Sequence, residues 1–350
     1  MIDQVNLLSY PDQACCVIKF DGQRLYVGHR DNEQPSIWSL RNTDEQLELG
    51  LIDTIGKQPS ATELLAVIEA ALTCYPAQKK VILSVAQSQF PGLFATGVLT
   101  TDGNRVTAYA ETFWQQSRLW HQRGSDVPYP IRYRFSQGRR HPLRPPKPSG
   151  MVYRRYISWL GRTLNFRCVV IDTDLQRFNR WMNDPVVAAF WQETGDMQKH
   201  RHYLEAIDAD PHMLNLIACL DDEPFGYFEV YWAKEDRIAP FYDAHDFDRG
   251  WHVLIGELQM RGKPFVTAWL PSISHYLFLD DCRTQRIVIE PRVDNHKMMR
   301  NLAHGGYANL KEFDFPHKRA ALHMLLHERF FSEQLWLPRS AVTAHSLSLS

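Results

Sequence analysis

Residues 17–20 and 24–27 alternate apolar and polar positions on either side of Asp21-Gly22, a pair that supplies the positive φ of a tight turn. Residues 98–100 and 105–107 do the same around Asp102-Gly103-Asn104. Both predict hairpins. Ser60, followed three residues later by Glu63, is a capping box that opens a helix. Its apolar stripe of Leu64, Leu65, Ile68, Ala71 and Leu72 runs until Pro76, and 81–85 reads as the next strand. Residues 128–148 hold too many prolines for helix or central strand and predict an extended linker or a strap laid across a surface.

Beyond the strap, 164–171 reads as a strand and Thr173 to Gln176 as a capping box for a helix burying Leu175, Phe178, Trp181 and Met182. Residues 198–207 form a second helical stretch, and 214–220 with 225–232 an antiparallel hairpin around Asp221 to Pro224. A strand over 251–258 leads through Arg261-Gly262-Lys263 into a long apolar helix from about Pro264. Strand 286–290, helix 295–303 and strand 309–315 follow, with a final helix from Arg319. The order β-α-α-β-β-β-α-β-α-β predicts an α/β fold with a mixed central sheet and helices on both faces. The expected organisation is a smaller α/β domain over 1–127, a Pro-rich linker or strap over 128–150, the main domain over 151–338 and a flexible tail over 339–350.

Composition narrows the class of partner. At 350 residues, 44% hydrophobic and 23% charged, the chain is long enough for two domains with real cores and is neither disordered nor fibrous. A net charge of −1 gives no general attraction to nucleic acid or an acidic membrane, so small molecules or proteins are the expected partners. The first residues lack a secretory signal and no segment approaches a membrane span, which makes the cytoplasm the expected location. Six cysteines without a C-x-x-C pair fit reduced thiols. His323 and His327, read as one helical turn apart, lack the glutamate and third ligand of a zinc site, and His200 and His202 cannot chelate from a helix. All are expected at the surface, with no metal.

Two features carry candidate chemistry. Arg261-Gly262-Lys263, between a strand and a helix N-terminus, offers free N–H groups, a favourable dipole end and two cations, which suit a pyrophosphate. His252 lies on the preceding strand, on the face opposite Trp251 and Val253, and Glu290 ends the next strand. An imidazole has the basicity for proton transfer near neutral pH, and a carboxylate beside it can orient it or take the proton itself. Their roles stay open at this point. Tyr231, Trp232 and Trp251 are candidates to line an amine pocket, Asp248 and Arg249 to hold an amino-acid head group, and the strap cations Arg139, Arg140, Arg144 and Lys147 to reach an anionic ligand. Each has an ordinary structural alternative: core aromatics, a solvated turn pair and a solvated linker.

Several longer words narrow the reading. Phe178-Asn179-Arg180-Trp181-Met182-Asn183-Asp184-Pro185, Tyr227-Phe228-Glu229-Val230-Tyr231-Trp232-Ala233-Lys234-Glu235-Asp236-Arg237-Ile238, Glu290-Pro291-Arg292-Val293-Asp294-Asn295 and Lys311-Glu312-Phe313-Asp314-Phe315-Pro316-His317-Lys318-Arg319 resemble the GNAT acyltransferases of hydroxamate-siderophore assembly. The likeness is nearest to the aerobactin-type hydroxylysine acetyltransferases. It covers residues 145–331, and more weakly the first half, where Thr112-Phe113-Trp114-Gln115 has the same look.

The resemblance implies a GNAT fold preceded by a smaller GNAT-like domain, with acetyl-CoA as co-substrate and transfer of acetyl to N-epsilon-hydroxylysine. It maps the family's site histidine and acidic residue onto His252 and Glu290. It maps the CoA loop onto Leu258, Gln259, Arg261, Gly262 and Lys263, with Asn295 touching the pantetheine arm besides capping a helix. The family loop pattern Arg-Gly-x-Gly-x-Gly/Ala is broken here by Pro264 and Val266, and proline removes one N–H donor. Other siderophore-assembly enzymes are the implied protein partners. The rival readings are acyl transfer, acetyl or succinyl, to an N-hydroxylated diamine, and a non-catalytic GNAT-like module that binds CoA or a protein.

Overall fold

The computed structural model describes residues 5–29, 35–43, 46–53, 58–122, 127–136 and 138–338, so the expected tail 339–350 lies outside the described residues. Described residues of 1–122, 154–163 and 337–350 form one compact unit, and those of 123–153 and 164–336 another.

The first sheet holds β1 (Val5–Ser9), β2 (Cys16–Phe20), β3 (Arg24–His29), β4 (Ser36–Asn42), β5 (Leu47–Asp53), β6 (Lys80–Ser84), β7 (Thr100–Asp102) and β8 (Arg105–Tyr109), in the order β1-β2-β3-β4-β5-β6-β8-β7. Both expected hairpins form. Asp21 Oδ1 accepts from the Gln23 and Arg24 amides at 2.9 and 2.7 Å, and Gly22 takes a φ of 96°. The capping box also forms, with Ser60 and Glu63 bonding each other's amides at 2.7 and 3.1 Å at the start of α1 (Ala61–Cys74). Short helices α2 (Pro91–Ala95), α3 (Ala110–Phe113) and α4 (Ser117–Trp120) follow. β5 and β6 run parallel and stay paired over four residues, from Leu47 with Val81 to Gly50 with Ser84.

Between the strands of the two sheets in sequence, the strap folds as a two-stranded ribbon, β9 (Tyr133–Ser136) and β10 (Arg139–Pro142), turning at Gly138 with φ 73°. Its cations are spent on the protein. Arg144 grips Glu235 with two hydrogen bonds of 2.6 Å, Arg139 donates to the Glu235 and Asp236 carbonyls, and Lys147 donates to the Ile207 and Asp208 carbonyls. Arg140 lies 3.5 Å over the Tyr133 ring. These contacts make the strap a fastening rather than an anion site.

The second sheet holds β11 (Met151–Ile157), β12 (Arg162–Cys168), β13 (Met213–Leu220), β14 (Glu223–Trp232), β15 (Arg249–Ile255), β16 (Arg286–Ile289), β17 (Ala308–Phe315) and β18 (Lys318–Leu326), in the order β11-β12-β13-β14-β15-β16-β18-β17. That is the strand order of the first sheet repeated. The helices are α5 (Ile171–Met182), α6 (Pro185–Trp191), α7 (Met197–Ala209), α8 (Lys263–Asp280), α9 (His296–His304) and α10 (His327–Ser332). No helix among the described residues is long and apolar enough to cross a membrane.

Three expectations are corrected. The helix expected from Arg319 is strand β18, paired with β17 from Ala308–Met324 to Phe315–Lys318. Ala320 and Leu322 on one face and Ala321, His323 and Leu325 on the other are all buried, so no period-2 signal survives to distinguish strand from helix. His323 therefore sits in a strand and His327 opens α10, and the helical spacing between them does not exist. His200 is also no surface residue: it is fully buried, with Nδ1 on Asn179 at 2.8 Å and Nε2 on the Glu193 carbonyl at 2.7 Å. Finally, α5 starts two residues before Thr173, because the Asp174 carboxylate reaches back to the Val170 amide at 2.9 Å and is itself held by Arg167.

Candidate active site

In an antiparallel pair, residues in register point to the same face of the sheet. β14 and β15 set Glu229 opposite His252 and Tyr231 opposite Gly250, so these side chains and Tyr227 share one face. Gly250 makes this possible, since a Cβ there would lie 2.2 Å from the Tyr231 ring.

β15 and β16 are parallel neighbours only at Arg249–Ile287 and Gly250–Val288, and past these pairs the described ladder ends. The two strands diverge at that point. His252 stands on one side of the opening, and Glu290, one residue past β16, on the other.

His252 bridges the opening with both ring nitrogens on carboxylates. Nε2 is 2.8 Å from Glu290 Oε1 and Nδ1 3.3 Å from Glu229 Oε2, while the imidazole side chain keeps 21% exposure. Each carboxylate is held in turn. Glu290 accepts from the Tyr231 hydroxyl at 2.7 Å, and Glu229 from the Tyr203 hydroxyl at 2.6 Å and the Tyr227 hydroxyl at 3.0 Å. Lys318 donates to the Glu290 carbonyl at 2.8 Å and lies 3.7 Å from its carboxylate.

Burial opposes charge on His252, but Glu290 and Glu229 together outweigh it and raise its pKa from 6.5 to about 9. Burial would likewise push the Glu290 carboxyl up, yet His252, Lys318 and the Tyr231 hydroxyl hold it far below the ordinary carboxylate range. At neutral pH the centre is therefore an imidazolium between two carboxylates. In that state both ring nitrogens donate to carboxylates.

The loop after β15 has the expected strand-to-helix course. A single helical turn, Leu258–Met260, precedes Gly262, which caps α8 with a φ of 122°. Leu258, Gln259, Gly262 and Lys263 are exposed there. The Lys263 and Phe265 amides start the helix without an intrahelical acceptor, and Pro264 between them has no N–H.

Arg261 is turned inward. Its Nε donates to the Ile255 carbonyl at 2.9 Å, and Nη2 lies 3.4 Å from the Gly256 carbonyl and 3.3 Å from Asp184. It braces the loop in this structure. Asn295 caps α9, accepting from the Met298 amide at 3.1 Å.

Four suggested acceptor residues fall elsewhere, because strand alternation turns them from the His252 face or their polar atoms are already taken. Trp251 packs against Trp269 of α8 at 6.0 Å and donates to the Tyr307 hydroxyl at 3.0 Å. Trp232 is sandwiched between Arg144 and Arg249, whose charges lie 4.2 and 4.0 Å from its ring. Arg249 bonds Asp280 at 2.8 Å. Asp248 accepts two bonds from Arg286 and one from Tyr242. Of the proposed aromatics only Tyr231 reaches the site.

Glu229 was not singled out from the sequence. Its signal was a carboxylate inside the apolar run Tyr-Phe-Glu-Val-Tyr-Trp, on the parity of Tyr227 and Tyr231.

A mixed sheet with a strand pair that parts beside a charged centre, followed by a loop into a helix N-terminus, defines the class. Residues 170–315 match the acetyltransferase (GNAT) domain, and the chain belongs to the GNAT acetyltransferase family. It is 48% identical over 192 residues to the N(6)-hydroxylysine O-acetyltransferase of Escherichia coli, covering 55% of this chain and 61% of that one. It is 46% identical over 233 residues to a Schizosaccharomyces pombe protein provisionally named a lysine N-acyltransferase, covering 66% of this chain and 69% of that one. An uncharacterised protein of Bacillus halodurans shares the fold with a TM-score of 0.50 and 28% identity, over 52% of this chain and 93% of that one. The matched region thus spans less than two thirds of the bacterial relative's length.

Proposed function

We propose that this chain transfers the acetyl group of acetyl-CoA to the hydroxylated side-chain nitrogen of an N-hydroxylated amine, N6-hydroxylysine foremost, giving a hydroxamate for siderophore assembly. The observation that carries this reading is the row Glu229–His252–Glu290 at the opening between β15 and β16. The name of the bacterial relative supplies the acceptor class.

The residues present fit acetyl-CoA as substrate. The diverging strands leave peptide groups along β15 for the amides of a pantetheine arm, and the Lys263 ammonium with the amides at the start of α8 suits the pyrophosphate. The cytoplasm, which holds acetyl-CoA, is the proposed setting of the reaction.

A hydroxylamine nitrogen is less basic than a lysine amine and is substantially neutral at pH 7, so the site need not remove a strongly held proton before attack. As the C–N bond forms and the C–S bond breaks, the nitrogen becomes strongly acidic, enough to give its proton even to a carboxylate held below its ordinary range. Glu290 is that acceptor in this reading. His252, as imidazolium, holds Glu290 in place and offsets its charge, and the departing thiolate takes a proton from solvent, to which Glu290 returns the one it took from nitrogen. Positioning both substrates contributes further, on the order of 7 kcal/mol or more.

The test is thiol release from acetyl-CoA with N6-hydroxylysine or lysine as acceptor at pH 7. Hydroxylysine is expected to react roughly a hundredfold faster or more, within the usual range for proton-transfer effects. Comparable rates would show a general amine acetyltransferase.

A further inference from the structure

Just outside Glu290 lies a cluster of positive groups that the proposed chemistry does not use. Arg237, in the segment after β14, is half exposed, with Nη2 3.8 Å from Glu290 Oε1. That is beyond hydrogen-bond length, and among the described residues nothing accepts from its guanidinium. Lys318 stands 3.7 Å from the same oxygen, brought there by the turn between β17 and β18. Both cations gather at the Phe315 ring, at 5.6 and 5.3 Å, and the His317 ring stacks on it at 5.4 Å.

The charges do not cancel. Glu229 and Glu290 face His252, Arg237 and Lys318, which leaves one positive charge in excess when His252 is an imidazolium. The neighbouring Asp236 does not supply the balance at the rim, since it is buried, accepts from the Ile238 amide at 3.0 Å and lies 3.7 Å from His212. Burial, then Arg237 and Lys318, disfavour a further proton on His317.

We propose that Arg237, with Lys318 beside it, binds the α-carboxylate of the acceptor, so that the site selects an N-hydroxylated amino acid over an N-hydroxylated diamine. This rests on the acyl-transfer reading above and names the acceptor within it. In hydroxylysine the carboxylate and the reacting nitrogen are separated by roughly 7 Å of extended chain, a span that a half-exposed arginine beside Glu290 can serve. A carboxylate meets a planar guanidinium with two parallel hydrogen bonds. A diamine carries the same ammonium but no carboxylate, so it leaves both cations unpaired and meets their repulsion without compensation.

The test compares N6-hydroxylysine with N-hydroxycadaverine, in wild type and in Arg237→Met, Arg237→Lys and Arg237→Glu. Wild type is expected to prefer hydroxylysine by about tenfold or more in kcat/KM, as for loss of one charge-assisted pair. Arg237→Met should erase most of that preference, mainly through KM for hydroxylysine. Arg237→Lys should restore part of it, and Arg237→Glu should invert it. Equal use of both acceptors by wild type, or an equal loss for both in Arg237→Met, overturns the proposal.

Calorimetric binding of hydroxylysine to the protein with CoA present separates the two readings. Binding that depends on Arg237 without any turnover would sink acyl transfer and leave the carboxylate site standing. Binding indifferent to Arg237 would sink the carboxylate site.

Discussion

Replacing Glu229 with Gln removes one of the two negative charges that keep His252 protonated, while preserving the size of the side chain and an oxygen for the Tyr203 and Tyr227 hydroxyls. An opposite charge at this range moves a titration midpoint by roughly 1–3 pH units. Glu290 is the nearer partner, at 2.8 Å against 3.3 Å, so the lower end of that range applies to Glu229. His252, held at about 9, is therefore expected to titrate near 8 or below in Glu229→Gln, a change of about 1.4 kcal/mol in the free energy of its protonation. Nitrogen NMR of the histidine rings across pH, with His252→Gln to assign the signal, reads the midpoint directly. Because the proposed chemistry needs the imidazolium, the alkaline limb of kcat/KM should move down with it. An unmoved midpoint, or a limb that stays in place while the midpoint falls, would refute the reasoning.

Arg261→Ala should lower the melting temperature of the protein without ligand, since a charged donor bonded to two carbonyls contributes about 1.5–3 kcal/mol, and should also raise KM for acetyl-CoA; a residue that only met phosphate would leave the ligand-free melting temperature unchanged. Gly250→Ala should reduce kcat by about a hundredfold or more with the fold retained in circular dichroism, because the new methyl displaces the Tyr231 ring that holds Glu290, and wild-type turnover would remove Tyr231 from the site. Stability should fall as pH rises from 6.5 through about 9: a folded-state pKa raised above the unfolded one stabilises fully below 6.5, and this contribution, on the order of 3 kcal/mol, is lost as His252 deprotonates. Urea titrations at several pH values should show this slope in wild type and a weaker one in His252→Gln, and equal slopes would contradict it.

Much of the second sheet was legible because its strands and helices are long and punctuated. Asp221 and Asp222, with φ of 49° and 66°, mark the β13–β14 turn, and Gly262 marks the start of α8. His252 and Glu290 were legible as polar residues in or at the end of apolar strands. What escaped depends on pairing between distant segments. Glu229 meets His252 only because β14 and β15 share a register, and the same register sends Trp232 and Trp251 to the other face. β18 was hidden by burial on both faces. The inward turn of Arg261 follows from carbonyls at the end of β15, which no spacing in the sequence announces.

The two sheets share one strand order, yet only the second has its parallel pair part early. β5 and β6 stay paired over four residues, against two for β15 and β16. The charged centre and the opening thus occur in the same half of the sequence.

The most direct measurement identifies the product. Wild-type protein incubated with acetyl-CoA and N6-hydroxylysine should release CoA thiol in step with a compound that gains one acetyl group and forms a coloured complex with Fe(III). A hydroxamate chelates through its adjacent carbonyl and hydroxyl oxygens, whereas an O-acetyl ester cannot. His252→Gln and Glu290→Gln should each lower that yield by about a hundredfold or more at pH 7. Thiol release that gives an acetylated product blind to Fe(III), or wild-type rates in both variants, would contradict N-acetylation at the His252–Glu290 centre.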